Sequence, residues 1–463
     1  MGSLIDLRKK DVWTPDHLHA VVEVRVEQIN SVAKTVRPRI ILTHGGTPAF
    51  FVDLFATWSL GGCAYCLNAG LSDAELANVK EFVRPDAILP DGEQVLPSLP
   101  KNTSSTSPTP SADDPALVLF TSGTTGEPKG VVHTYRSLQA RIALNQAYIP
   151  SEVLARSLCV LPTHFGHGLI GNCLTPLLAG HDLHLMCNPT LPEMIKLGAL
   201  LDTEEISFLS SVPSFWKLAL RMSPPPTKGT LKRVHIGSAP LSADLWNEVI
   251  AWSGTKDVVN TYGITETANW ICGASAVEFP PEDGLIGKAW GGEMAVRLAN
   301  DAISATGEGE LLVRNPSLMV GYDQRADLSV PALRDGWFHT GDIGLIDECG
   351  VARLTGRIKH EINRAGQKIH PEDLDLLFEK HDDVVEACAF GVPDEVAGEI
   401  VGIALHMKEG AQADPAKLRS WCESRLRREA IPEKWFFLDE LPKNERGKLD
   451  RMRVAASCIE GND

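Results

Sequence analysis

The sequence predicts an α/β protein of two or more domains, and three observations carry that prediction. At 463 residues the chain is too long to fold around one hydrophobic core. As far as about residue 100, helix-like and strand-like stretches alternate, which argues for a parallel sheet covered by helices. The last part, beyond about Gly356, reads as a compact α+β unit of its own.

The elements follow in order. "HLHAVVEVRVEQINSVAKTV" (His17–Val36) has helical spacing, and "RIILTHG" (Arg39–Gly45) is extended. "AFFVDLFATWSLGG" (Ala49–Gly62) is helical and "CAYCLN" (Cys63–Asn68) extended; a further helix then leads to "DAILP" (Asp86–Pro90). The Pro-, Ser- and Thr-rich stretch "LPSLPKNTSSTSPTPSADD" (Leu96–Asp114) has the composition of a mobile linker and delivers the chain to the strand "ALVLF" (Ala116–Phe120). Past the glycine-rich loop that follows, Leu138 and Ile142 stand four apart on an expected helix, so the loop is read as joining a strand to a helix. From Gly287 to Val351 the pattern shortens to β-like pieces such as "MAVRLA" and "GELLVRN", which suits a small barrel or sandwich. Pro371 opens a helix with Leu374, Leu377 and Phe378 on one face, "VVEACAFGV" is a strand, and Asp414 with Pro415 starts another helix.

Composition excludes several classes of function. Hydrophobic content of 43% and charged content of 22% are those of a soluble globular chain. Sixty acidic against 44 basic residues leave a net charge of −16, which disfavours nucleic acid and anionic membrane surfaces as partners. No apolar run is long enough for a membrane span and the opening "MGSLIDLRKKDVW" lacks a signal core, so a cytoplasmic location is expected. The ten cysteines are scattered through apolar stretches, as reduced core thiols would be; Cys63 and Cys66 form a C-x-x-C but read as part of a buried strand.

The loop "TSGTTGEPKG" (Thr121–Gly130) is suited to a phosphate. Glycines admit backbone N–H donors, hydroxyls add more, and Lys129 adds charge. Its spacing is not that of a P-loop NTPase. Further segments accompany it in a fixed order: "HIGSAPL" (His235–Leu241), "NTYGITETANW" (Asn260–Trp270), "GWFHTGDIG" (Gly336–Gly344), "LTGRIKHEINRAGQKIHPEDLD" (Leu354–Asp375) and "LPKNERGKLDR" (Leu441–Arg451).

This ordered set resembles the adenylate-forming superfamily of acyl- and aryl-CoA synthetases, nonribosomal adenylation domains and luciferases. The resemblance runs from about residue 15 to about residue 451. It implies a large N-terminal adenylation core, residues 1–356, and a mobile C-terminal domain, residues 357–463. It also implies a shortened first subdomain, because the opening strands usual in the family are not evident here.

What the resemblance implies about the site can be put residue by residue. Thr121, Ser122, Gly123, Thr124, Thr125, Gly126 and Lys129 would hold the β- and γ-phosphates of ATP. The backbone of Gly237, Ser238, Ala239 and Pro240 would form the adenine shelf, with Tyr262 stacking beside Gly263. Thr265 would bind the α-phosphate and Glu266 would hold Mg²⁺. Asp342 would accept the ribose hydroxyls and Arg357 add a contact. Lys448 would be the catalytic cation, with Lys443 as its competitor; Lys359 would be the hinge, and Gly366 would line the pantetheine tunnel.

"LPTHFGHGLIGNCLTPLLAG" (Leu161–Gly180) resembles the segment that lines the acid pocket, with His164 at the gate and His167 beside it. It contains no aspartate that would pair an amino-acid ammonium. Trp216 and Trp270 are expected to narrow the pocket toward an aryl or small acyl group. The implied reaction is ATP-dependent activation of a carboxylic acid, then thioester formation with coenzyme A. Transfer to a phosphopantetheinyl carrier protein and a non-catalytic nucleotide-binding role are the alternatives.

Overall fold

The computed structural model describes residues 1–33, 35–89, 110–121, 129–364, 367–394, 397–444 and 447–460. The chain divides into two compact units, Met1–Met294 with Val313–His339 and Ala295–Leu312 with Thr340–Asp463.

The first unit holds two sheets. One has six strands in the order Gly321–Tyr322, Lys129–Thr134, Pro115–Thr121, Cys63–Cys66, Arg39–Leu42, Ala87–Leu89. Its last four strands are parallel, as the alternating pattern predicts. Parallel neighbours need crossovers, and helices capped by their own sequence supply them. Thr47 accepts from the Phe50 N–H ahead of Pro48–Ser59, and a reciprocal Ser72–Glu75 capping box opens Asp73–Val83. Phe50, Phe51 and Leu54 are fully buried against Ile40, Leu42 and Leu117, a continuous apolar core that stabilises the layer by area removed from water. Cys63 and Cys66 lie in this sheet as buried thiols, and burial pushes both above their ordinary range. They are strand residues, as expected.

The other sheet of this unit runs Leu285–Ala289, Trp270–Ser275, Val258–Gly263, Arg233–Gly237, Phe208–Ser211, Arg156–Cys159, Asp182–Leu185, Leu4–Asp6, Asp11–Trp13. Its central strands are parallel and present their carboxyl ends to the motif-bearing turns. The start of the chain does carry strands: Leu4–Asp6 pairs with Asp182–Leu185, a contact too distant in sequence to read from a three-residue run.

The second unit begins with the β-like pieces expected before Val351. Ile303–Ser304, Glu293–Arg297, Gly307–Arg314, Trp337–Ile346 and Ala352–Arg357 follow one another in a sheet. The C-terminal α+β part pairs Gln367–Ile369, Ile362–Arg364, Gly398–Met407 and Val384–Asp394, with Lys434–Phe437 added in parallel to Gly398–Met407. Helix Pro371–Phe378 buries Leu374 and Phe378, and Pro415–Glu423 buries Leu418 and Cys422, in one core with Val401, Ile403 and Leu405. Among the described residues no helix is long and apolar enough to cross a membrane. Most of the linker Leu96–Asp114 lies outside the described residues.

Candidate functional site

The glycine-rich loop corrects one expectation. It joins a strand to a strand: Pro115–Thr121 pairs antiparallel with Lys129–Thr134, and Thr121 stands opposite Lys129. Helix Tyr135–Tyr148 begins only after the second strand, capped by Thr134, so its N-terminus is not at the loop. Val131 and Val132 are β-branched and packed in the sheet, and that pairing prevails over a helical start at the loop. Ser122, Gly123, Thr124, Thr125 and Gly126 lie outside the described residues, as does the side chain of Thr121.

At the foot of that loop three side chains meet. The Lys129 ammonium lies 3.6 Å from Glu266 Oε1 and 4.0 Å from the centre of the Tyr322 ring. Tyr322 donates its hydroxyl to the same Glu266 oxygen at 2.8 Å. Burial, then the neighbouring Glu266 charge, keeps the Tyr322 phenol protonated well above its ordinary range. A carboxylate, an ammonium and a phenol are thus held together on edge strands of one sheet and a turn of the other. Sequence reading missed Tyr322; it lies 56 residues beyond Glu266, in a two-residue strand with no pattern of its own.

The turn Thr265–Thr267 carrying Glu266 is braced from below. His133 Nε2 donates to the Thr265 carbonyl at 2.8 Å, and Met319 N–H to the Glu266 carbonyl at 2.8 Å. Burial lowers His133 to about 4, leaving a neutral ring whose proton is on Nε2. Ala268, next in the turn, is fully buried at φ +68, a left-handed conformation that an alanine adopts only under tertiary constraint. Tyr262 is buried at the end of strand Val258–Gly263, and at Gly263 a Cβ would come within 2.2 Å of the Asn269 carbonyl, so only glycine lets the two strands close there.

The segment expected to line the acid pocket forms a wide helical turn. In His167–Leu174 the closing bond runs from the Thr175 N–H to the Ile170 carbonyl, five residues back, a geometry often found at functional sites. A Cβ at Gly171 would fall 2.0 Å from Asn269 Nδ2, so this helix lies directly on the nucleotide-motif turn. His167 bridges two motifs: its Nε2 is 2.7 Å from Ser210 Oγ and its Nδ1 2.9 Å from Ser238 Oγ. Ser238 is held at φ +69 in the expected adenine shelf, between buried Gly237 and half-buried Ala239, with Pro240 exposed.

Trp270 stands over this network, its ring centre 5.4 Å from that of His167 and 4.6 Å from that of His235. Trp216 does not join it. Its ring packs on Phe215 and Trp252, between helices Pro213–Met222 and Ala243–Ser253. His164 is half-buried with its ring against Phe165. His164 and His167 form no metal pair, since both His167 nitrogens meet serines, and the described residues hold no cluster of three or more His, Cys, Asp or Glu suited to a metal ion.

In the second unit, Asp342 and Arg357 are cross-strand partners. The Asp342 side chain is buried and accepts from Arg357 Nε, while the guanidinium is half exposed. Lys359 belongs to the single turn Ile358–His360 that follows; its side chain, and Gly366 altogether, lie outside the described residues. Lys448 sits in a closed turn: its N–H donates to Asn444 Oδ1 at 3.1 Å, its carbonyl accepts from the Asn444 N–H at 2.8 Å, and Gly447 takes φ +68. The competitor Lys443 is ion-paired to Glu386 at 2.8 Å.

Three residues along, Arg451 is buried among Asp375 at 2.6 Å, Glu372 at 3.4 Å and the Ala389 carbonyl. The Glu372 carboxylate in turn accepts from His360 Nδ1 at 2.7 Å. Burial alone would raise Glu372, but the His360 hydrogen bond and the Arg451 charge bring it below its ordinary value. Turn Ile358–His360 and the lysine-bearing segment are therefore anchored to one helix, Pro371–Phe378.

Comparison with known proteins identifies the family. A family model described as AMP-binding enzyme matches residues 34–323, and one described as AMP-binding enzyme C-terminal domain matches residues 377–448. A probable CoA ligase of Humulus lupulus is 33% identical over 390 residues, covering 80% of this chain and 72% of that protein. An oxalate–CoA ligase of Arabidopsis thaliana is 32% identical over 359 residues, 75% of this chain and 68% of that one. ATP-bound MatB from Rhodopseudomonas palustris shares the fold, with a TM-score of 0.89 at 24% identity over 100% of this chain and 97% of that one.

Proposed function

The chain belongs to the AMP-binding enzymes of the adenylate-forming superfamily, and from that premise we propose that it activates a small carboxylic acid with ATP and passes it to coenzyme A. It is an AMP-forming acid–CoA ligase. The observation that carries the proposal is the Lys129–Glu266–Tyr322 group at the foot of the hydroxyl- and glycine-rich loop.

A carboxylate is a poor electrophile, because its charge repels nucleophiles and oxide is a poor leaving group. In the first step its oxygen bonds to the α-phosphorus of ATP and the bond to pyrophosphate breaks. In the second the thiol sulfur of coenzyme A bonds to the acyl carbon, the carbon–oxygen bond to AMP breaks, and the thiol proton is released. Each step moves negative charge between oxygens, so placed cations and donors lower its barrier.

Lys129 supports the β- and γ-phosphates from the loop, and Thr265 the α-phosphate. Tyr262 and the Gly237–Pro240 backbone hold the adenine, and Asp342, oriented by Arg357, accepts the ribose hydroxyls. Glu266 fits a hard divalent ion such as Mg²⁺. Among the described residues it belongs to no cluster of three or more metal-ligating side chains, as suits an ion that would take its remaining oxygens from phosphates and water. When bound, that ion neutralises phosphate charge. Lys448 supplies a cation to the reacting carboxylate and α-phosphate oxygens. The domain of residues 357–463 pivots at Lys359, and Gly366 leaves room for the pantetheine thiol.

The acid pocket lies beside His164, His167 and Trp270, and aromatic walls there favour an aryl or short acyl group over a long chain. Acid-dependent pyrophosphate release, followed by CoA-dependent release of AMP and an acyl thioester, tests the reading. Pyrophosphate release that no acid stimulates sinks it.

A further inference from the structure

Between the acid-pocket helix and the nucleotide turn lies a set of buried polar groups that the scheme above does not use. His235, on strand Arg233–Gly237, is fully buried, and its ring stands edge-on to Trp270 at 4.6 Å and to Phe208 at 4.9 Å. Neither ring nitrogen has a hydrogen-bond partner among the described residues; the same holds for Asn269 Nδ2 and Trp270 Nε1. Buried donors are seldom left unpaired, and three neighbouring side chains that are so together call for a ligand.

A charge lies behind them. Arg141 is fully buried on helix Tyr135–Tyr148, and its donors go to Ser317 Oγ at 3.1 Å, Asn315 Oδ1 at 3.0 Å, Asn145 Oδ1 at 3.4 Å and the Trp270 carbonyl. Every one of those acceptors is neutral. Burial lowers the guanidinium to about 10, so it keeps its proton at neutral pH. Burial, then Arg233 and His167, holds His235 well below its ordinary value, so it offers one N–H as a neutral ring. His235, Asn269 and Trp270 thus bring unpaired donors next to one cation, held on the Trp270 carbonyl, whose hydrogen-bond partners include no carboxylate.

That combination selects by elimination. A hydrocarbon tail would leave all the donors unpaired, and an ammonium would be repelled by Arg141. An oxyanion accepts from the donors and answers the charge. Resting on the ligase reading, we propose that the substrate is a short acid whose far end carries a second oxyanion, a carboxylate or a sulfonate, received by His235, Asn269 and Trp270 with Arg141 behind them.

The test is a pyrophosphate-release panel with ATP and Mg²⁺. Malonate, succinate, sulfoacetate and 3-sulfopropionate are set against propionate, butyrate, benzoate and β-alanine. Turnover of dianionic acids above their matched monoacids is expected, and the two arms tell carboxylate from sulfonate. His235→Phe keeps the aromatic packing and removes both nitrogens; it should lower kcat/KM for the best dianionic acid by about 10- to 100-fold while the KM for ATP stays put. If that variant does not fold, Trp270→Phe, which removes one N–H, should shift the same preference. Turnover confined to monoacids, or a folded His235→Phe with unchanged kcat/KM for the dianionic acid, overturns the inference and leaves acid activation standing. No release with any acid overturns the ligase reading as well.

Discussion

Two lysines five positions apart compete for the catalytic role, and their surroundings separate them. Lys443 is engaged by Glu386 at 2.8 Å, with both side chains largely covered. Lys448 follows a glycine at φ +68, and its backbone is bonded twice to Asn444. Lys448→Ala should therefore reduce acid-dependent pyrophosphate release by about 100-fold or more, the scale of losing one charge-stabilising group. Lys443→Ala removes a side chain already paired with Glu386 and should leave the rate within about three-fold. Steady-state assays of the two purified variants decide it, and the reverse ranking would move the catalytic role to Lys443.

At the scale of the element, strand Lys129–Thr134 carries the phosphate lysine at its first residue and a buried histidine near its last. His133 is held at about 4 and His184 at about 4, both chiefly by burial, against 6.5 as the ordinary value. The sign follows from which state takes up protons. Between pH 6.5 and 4 the unfolded chain binds a proton at each position and the folded chain does not, so stability is present above pH 6.5 and is lost as the pH falls. For fully buried His133 the loss is about 3 kcal/mol over that window, by the usual conversion of pKa difference to free energy. His133→Gln retains a donor for the Thr265 carbonyl but cannot titrate. Thermal melts from pH 7 to pH 4 should show a shallower fall in Tm for the variant, and a slope equal to wild type would contradict the assignment.

Under the proposed function the whole molecule runs two half-reactions with one small domain, Lys448 being proposed for acyl-AMP formation and Gly366 for the thiol's approach. If the domain pivots at Lys359, Lys448→Ala should abolish adenylate formation from acid and ATP while largely sparing thioester formation from presynthesised acyl-AMP. Gly366→Leu should do the opposite, with pyrophosphate release persisting and acyl-CoA lost. Both half-reactions would be measured on each variant after a melt establishes folding. Equal loss of both activities in both variants would point to one fixed site.

The family and the order of its motifs were legible before any fold was known, because the residue types those motifs need are set locally. A loop that lets backbone donors reach phosphate needs glycines and hydroxyls in sequence, and the turn that offers Glu266 is built within six residues of Tyr262. The α/β class was equally legible, since helices and buried parallel strands differ in apolar period over short windows. The partners of those motifs were not. Tyr322 reaches Glu266 across 56 positions and Arg141 reaches the Trp270 carbonyl across 129, and no local pattern marks either. Trp216 and Trp270 looked alike in sequence, yet one packs between helices and the other stands over His167. The sequence by itself determined the family of chemistry and the order of its motifs, through residue types that backbone geometry demands locally. Which side chains meet and which stay neutral emerge only in the tertiary structure, because burial and electrostatic pairing depend on distances through space.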